Sequence, residues 1–175
     1  MDNKLSYEND EHRLYGCAGM AISLVVYDGE EMLSSISIDN EPDRMFEMSD
    51  AFYFSGNPSL SAKAAWSQIV RNFHLTAAMA IGNALCRSLV LENKPLSDGQ
   101  RSRLHDTVME EGRESCCLED DESERLFKKD YDYLSRVFQH HGVHDIAHEF
   151  VSELGERRTM SRSEVVYALR AIAML

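Results

Sequence analysis

The chain has 175 residues, 43% of them hydrophobic, and a formal net charge of −12 from 18 basic against 30 acidic side chains. That length suits one domain with a core of useful size. The acidic balance argues against nucleic acid and against anionic membranes as partners, because binding to either rests on clustered Lys and Arg. The charge is uneven: residues 1–60 carry 12 acids against Lys4, Arg13 and Arg44, so the N-terminal third is the acidic part.

The opening MDNKLSYENDEHR has neither a basic segment nor an apolar run. No secretory signal is expected, and the cytoplasm is the expected location. Residues 1–16 read as a polar arm. From Gly19 onward, MAISLVVYDGEEMLSSISI reads as two strands around Asp28-Gly29. Met20, Ile22, Leu24 and Val26 would share a face of the first strand, and Met32, Ile36 and Ile38 a face of the second. A three-residue loop, Tyr27-Asp28-Gly29, unites the two faces and places Gly29 in the left-handed region. The opposite face, with Ser23, Ser35 and Ser37, is expected to be mostly solvated, Val25 and Leu33 being exceptions. Phe46, Met48, Phe52 and Phe54 also alternate, which places a third strand at about 50–54, while Asn40 followed by Pro42 and Asp43 resembles a helix start.

At Pro58, closing the turn Ser55-Gly56-Asn57-Pro58, the apolar period changes from alternating to helical. Five helices are expected, over 61–92, 98–114, 122–141, 143–154 and 162–174. Capping boxes mark three starts: Ser97 with Gln100, Asp121 with Glu124, and Ser161 with Glu164, the last with Met160 and Val165 placed as a hydrophobic staple. Gly142 and Gly155 fit positions that end helices. The first helix has two apolar sides, one running from Ala62 and Trp66 to Ala84 and the other from Leu75 to Leu89, so it should be central. The third carries a narrower stripe of Phe127, Tyr131, Leu134, Phe138 and His141, and the second is weakly apolar and peripheral. The expected fold is therefore α+β and predominantly α: an N-terminal antiparallel β-hairpin of two or three strands within 19–54, packed on a bundle of about five helices over 59–175.

Leu75 to Leu91 is the most apolar stretch, but Asn83 and Arg87 interrupt it and it falls short of the ~20 residues of a membrane span. Cys17, Cys86, Cys116 and Cys117 lack metal-ligand spacing and read as free thiols. The segment HHGVHDIAHE is the sharpest chemical feature. His144 and His148 stand one helical turn apart, as in zinc sites of the H-E-x-x-H kind, but the Glu after the first His is absent. A helical wheel through Val143, Ile146, Ala147 and Phe150 sets both on the flank of the apolar face, where histidines without a ligand are common.

The order His74, His105-Asp106, Asp145 resembles the ligand order of the HD phosphohydrolases, helical metal enzymes that cleave phosphate esters. The resemblance covers these four residues and implies a divalent metal. The acidic run Glu119 to Glu124 lacks the spacing of a calcium loop and suits the start of a helix. There is no nucleophile elbow, cysteine signature or phosphate loop. Phe46, Phe52, Tyr53, Phe54, Trp66 and Phe73 cluster near the period change, as core or as the lining of a small-molecule pocket. With no complete catalytic constellation, the expected function is a non-enzymatic, cytosolic domain without a cofactor that binds a protein partner or itself. The alternative is a metal-dependent hydrolase using His144, His148, His105 and Asp106.

Overall fold

Asn9 starts the first ordered element. In the computed structural model, which describes residues 6–53 and 61–175, its side chain accepts a hydrogen bond from the His12 backbone N–H at 2.9 Å and caps helix α1, Asp10–Val26. Asp10 and Glu11 in the first turn complement the helix dipole. The segment expected to be a polar arm and a first strand is thus largely one helix. From Tyr15 to Leu24 nearly every residue is buried, and an element covered on all sides loses the polar stripe that announces a helix. The helix ends in a Schellman motif: Gly29 N–H donates to Leu24 O at 2.8 Å and Asp28 N–H to Val25 O at 3.2 Å. Asp28, not Gly29, takes the left-handed conformation, at φ 51. Gly29 is small for another reason, since a Cβ there would meet Leu75 Cδ2 at 2.7 Å.

A sheet follows. Strand β1, Leu33–Ser37, pairs antiparallel with β2, Phe46–Met48, and on its other edge with β3, Thr159–Ser161, giving the order β2-β1-β3. The third strand therefore comes from the far end of the chain. Residues 50–53 form a short helix, α2 (Asp50–Tyr53), in place of the expected strand, whose last residue, Phe54, lies outside the described residues, as does the turn at Pro58. Ile36 and Met160 are cross-strand partners on the core face, both fully buried. Leu33 is buried as well, because the pairing shifts between Leu33 and Ser35 and the irregularity turns Leu33 inward.

Helix α3, Ala62–Leu85, starts where Ser61 Oγ accepts from Ala64 N–H at 3.2 Å. It runs directly into a π-helical segment, Cys86–Leu91, so the helix continues for 30 residues. That is long and apolar enough by composition to cross a membrane, but 61% of its most apolar window is buried in the fold, as in a core helix. The first half of α3 is half-exposed, with Trp66 at 46%, and the second half is buried from Phe73 onward. The remaining helices are α4 (Asp98–Cys116), α5 (Asp120–Gln139), α6 (His141–Arg157) and α7 (Arg162–Ala168), followed by a 3₁₀ turn at Arg170–Met174. The capping boxes at Ser97 and Ser161 form, and Met160 and Val165 of the staple are both buried. The third box forms on Glu119 and Glu122, two residues before the expected pair, one of several registers the acidic run offers. Gly142 and Gly155 both lie within α6; the chain breaks instead at His140, whose Nδ1 accepts from Gly142 N–H at 3.2 Å.

The protein is α+β and predominantly α, with α3 at the centre of the bundle. Helix α1 crosses it very closely. A Cβ on Gly19 would lie 2.1 Å from Gly82 O, and one on Gly82 would lie 1.9 Å from Ser23 Oγ, so both positions require glycine. Helices α4 and α5 cover other sides of α3, and only Val108, Gly112 and Cys116 of α4 are buried.

Candidate functional site

His144 and His148 lie one turn apart on α6, while His74 and His105 sit on other helices, α3 and α4. His105 on α4 sets one ring nitrogen 3.1 Å from Asp106 Oδ1 and the other against Glu124 Oε2 of α5, and packs edge-on to Phe127. The Glu124 carboxylate raises its pKa. His144 Nε2 donates to the Phe138 carbonyl at 2.6 Å, joining α6 to the end of α5. His148 Nδ1 and the Tyr15 hydroxyl are hydrogen-bonded at 2.6 Å, joining α6 to α1. Among the described residues no group of three His, Cys, Asp or Glu side chains could hold a metal ion.

His74 belongs to a buried cluster. Asp130 of α5 is fully buried; Tyr27 Oη donates to its Oδ1 at 2.8 Å, and His74 Nε2 lies 3.1 Å from both carboxylate oxygens. The imidazole proton satisfies Oδ1, and Oδ2 is left without a hydrogen bond of its own. Burial, with the adjoining carboxylate, pushes the Tyr27 phenol far up. Asp130 sits at helical spacing within the stripe Phe127, Leu134, Phe138, and a lone carboxylate there is the signal that marks it.

An apolar opening lies elsewhere, between α3 and α4. It encloses about 420 Å³; Phe73, Ala77, Ala80 and Ala84 form one wall, Leu104 and Val108 the other. It arises because alanines on α3 face a helix with few large apolar side chains. At its C-terminal end it meets a second, more polar cleft of about 360 Å³, and the two share Ala84, Arg87, Leu104 and Thr107. Among the described residues the aromatics read as core or pocket do not share one pocket: Phe73 lines this cleft, Trp66 lines a different groove, and Phe52 packs on Tyr53 in α2, while Phe54 lies outside the described residues.

Arg87 stands where the two clefts join, on the π-helical segment. Its guanidinium is 3.2 Å from His12 Nδ1, donates to Ser6 O at 3.3 Å, and lies 5.0 Å from the Tyr7 ring centroid. His12 is 8% exposed, and its other ring nitrogen is 3.6 Å from Glu92, which is itself paired with Lys94 at 2.8 Å. Asn83, 1% exposed, donates to Tyr7 Oη at 2.8 Å, and burial pushes the Tyr7 phenol up to about 12. Arg87 itself pairs with no carboxylate among the described residues, and its Nε is buried without a hydrogen-bond partner. A half-buried cation with no carboxylate paired to it among the described residues, in a cleft whose lining acid, Glu92, faces His12 and Lys94, is electrostatically incomplete. Asn83 and Arg87 are the residues that interrupt the apolar stretch 75–91, so the signal was present as polar residues on a core helix. His12 and Tyr7 lie in the segment expected to be an arm. No protein-family model matches the chain, and the searches of curated proteins and of solved structures also find no match.

Proposed function

We propose that the protein binds a small amphipathic anion, with its apolar body in the α3–α4 cleft and its charge at Arg87. The observation that carries this reading is the half-buried Arg87, unpaired with any carboxylate among the described residues, at the mouth of an apolar cavity of about 420 Å³. A cavity of a few hundred Å³ with a few convergent polar groups is the usual form of such a site; Arg87 and Glu111 are the charged residues lining this one. A charge-assisted hydrogen bond there contributes about 1.5–3 kcal/mol. A π-helical segment at the anchoring residue is a further support, since such segments recur at ligand sites.

Calorimetric titration with octanoate, a carboxylate of suitable length, tests this. Saturable binding that Arg87→Gln weakens at least roughly tenfold, with octanol binding poorly to both proteins, is the expected result. Equal binding by wild type and Arg87→Gln, or none, refutes it.

Self-association is a second reading, favoured by the exposure of Tyr167, Met174 and Leu175. Concentration-dependent light scattering decides it. The buried free thiols Cys17, Cys86 and Cys116 support a reducing, cytoplasmic setting.

A further inference from the structure

The N-terminal half of α3 and the first turns of α5 border a second groove, of about 580 Å³, on a different side of the central helix. Its charge is inverted relative to the rest of the chain. Acids outnumber bases 30 to 18 overall, yet this groove is lined by Arg71, Arg125 and Lys129, with His74 and one carboxylate, the buried Asp130. Two of these cations hold exposed ion pairs, Arg71 with Glu31 at 2.7 Å and Arg125 with Asp121 at 3.2 Å. Exposed pairs contribute only ~0–1 kcal/mol, so either guanidinium is readily redirected to a stronger anion. Lys129 has no acidic partner among the described residues. Asp130 lies at the floor, fully buried, with Oδ2 lacking a hydrogen bond of its own. It holds the His74 Nε2 proton, which leaves Nδ1 without a protein partner among the described residues.

Trp66 completes the lining. It is the single tryptophan of the chain and is 46% exposed, an unusual amount for so large an apolar ring. An indole beside several cations offers a stacking face and a set of phosphate donors together.

We propose that this groove binds a mononucleotide, with the base on Trp66 and the phosphate at Lys129, Arg71 and Arg125. The volume suits one nucleotide. A nucleic-acid strand fits poorly, because a longer polyanion would extend over a protein of net charge −12.

The test uses the full chain, with Trp66 fluorescence and calorimetry read together. AMP should give a saturable response, weakened at least roughly tenfold by Lys129→Gln and unchanged by Arg87→Gln. Adenosine and inorganic phosphate should each bind much more weakly than AMP, and raising the salt concentration should weaken AMP binding. Lys129 is exposed, so its replacement leaves the fold intact, which circular dichroism checks. Trp66→Phe, read by calorimetry, should retain part of the affinity. No saturable response at millimolar AMP, an equal response from Lys129→Gln, or tighter binding of a single-stranded oligonucleotide would overturn the proposal.

Discussion

Replacing Gly82 by alanine places a methyl group in the contact between α1 and α3. The new Cβ would stand 1.9 Å from Ser23 Oγ and 2.5 Å from Gly19 O, where a carbon and an oxygen normally stay more than 3 Å apart. Turning Ser23 aside removes the first clash but breaks its hydrogen bond to Gly19 O, 2.8 Å long, and leaves the second. The second is with backbone, so the helices must separate. Overpacking of a tight core costs about 1–3 kcal/mol, and a clash with backbone belongs at or above the top of that range. The better helix propensity of alanine returns up to ~1 kcal/mol. A net loss of about 2–3 kcal/mol follows, or about 4–12 °C in Tm for a chain of this length. Urea unfolding followed by circular dichroism measures it as a lower midpoint at unchanged slope. Gly155→Ala is the contrast: it also lies within a helix, but its Cβ would meet only Leu14 Cδ1 at 3.6 Å, so a gain of about 0.5–1 kcal/mol is expected. A neutral or stabilising Gly82→Ala would refute the close crossing.

The remaining predictions concern single side chains. Asp130→Ala removes the acceptor of Tyr27 and the partner of His74, and should cost about 2–4 kcal/mol in urea unfolding, whereas Tyr27→Phe should cost about 1. A smaller loss from Asp130→Ala than from Tyr27→Phe would contradict the cluster. Of the four cysteines only Cys117 is exposed, and burial pushes Cys17 up to about 12, so a thiol reagent should modify one site rapidly and the other three only on unfolding. Cys117→Ser should remove the rapid phase. His105 is raised chiefly by its hydrogen bond to Glu124, so the folded state favours the protonated ring. Its contribution is complete below the unfolded value of about 6.5 and is lost as pH rises through the higher folded value. With the ring 31% exposed, the difference between wild type and His105→Gln should fall by no more than ~1 kcal/mol between about pH 5.5 and about pH 8.5. A difference that grows with pH would reverse the assignment.

The helical half was legible because its boundaries are chemical. Ser61, Ser97 and Ser161 cap the helices expected after them, and each does so through a side-chain oxygen that sequence reveals directly. The N-terminal half was not, because two helices in near-contact demand small residues. Gly16, Gly19 and Ser23 lie on the face of α1 that meets α3, and small residues among Met20, Ile22 and Leu24 imitate the polar positions of a strand. The clue that favoured a helix was local: Asn9 followed by Asp10 and Glu11 is a capped and acidic helix start. Strand β3 was hidden for another reason. Three residues between two helices have no periodicity to read, and their pairing with β1 joins positions more than a hundred residues apart.

The site residues follow the same logic in reverse. The histidines drew attention as metal ligands, yet each is explained by a nearby partner: Glu124, the Phe138 carbonyl, Tyr15 or Asp130. More was to be gained from polar residues that fall on apolar faces, since their burial costs free energy unless something compensates it. Asp130 meets that condition through Tyr27 and His74, and Asn83 through Tyr7. Arg87 meets it incompletely: a ring face, an imidazole and a carbonyl surround it, but no carboxylate forms an ion pair with it among the described residues. An apolar cleft opens beside that one deficit, so the place where the fold's electrostatics are unfinished is also the place where a small anion has room to complete them.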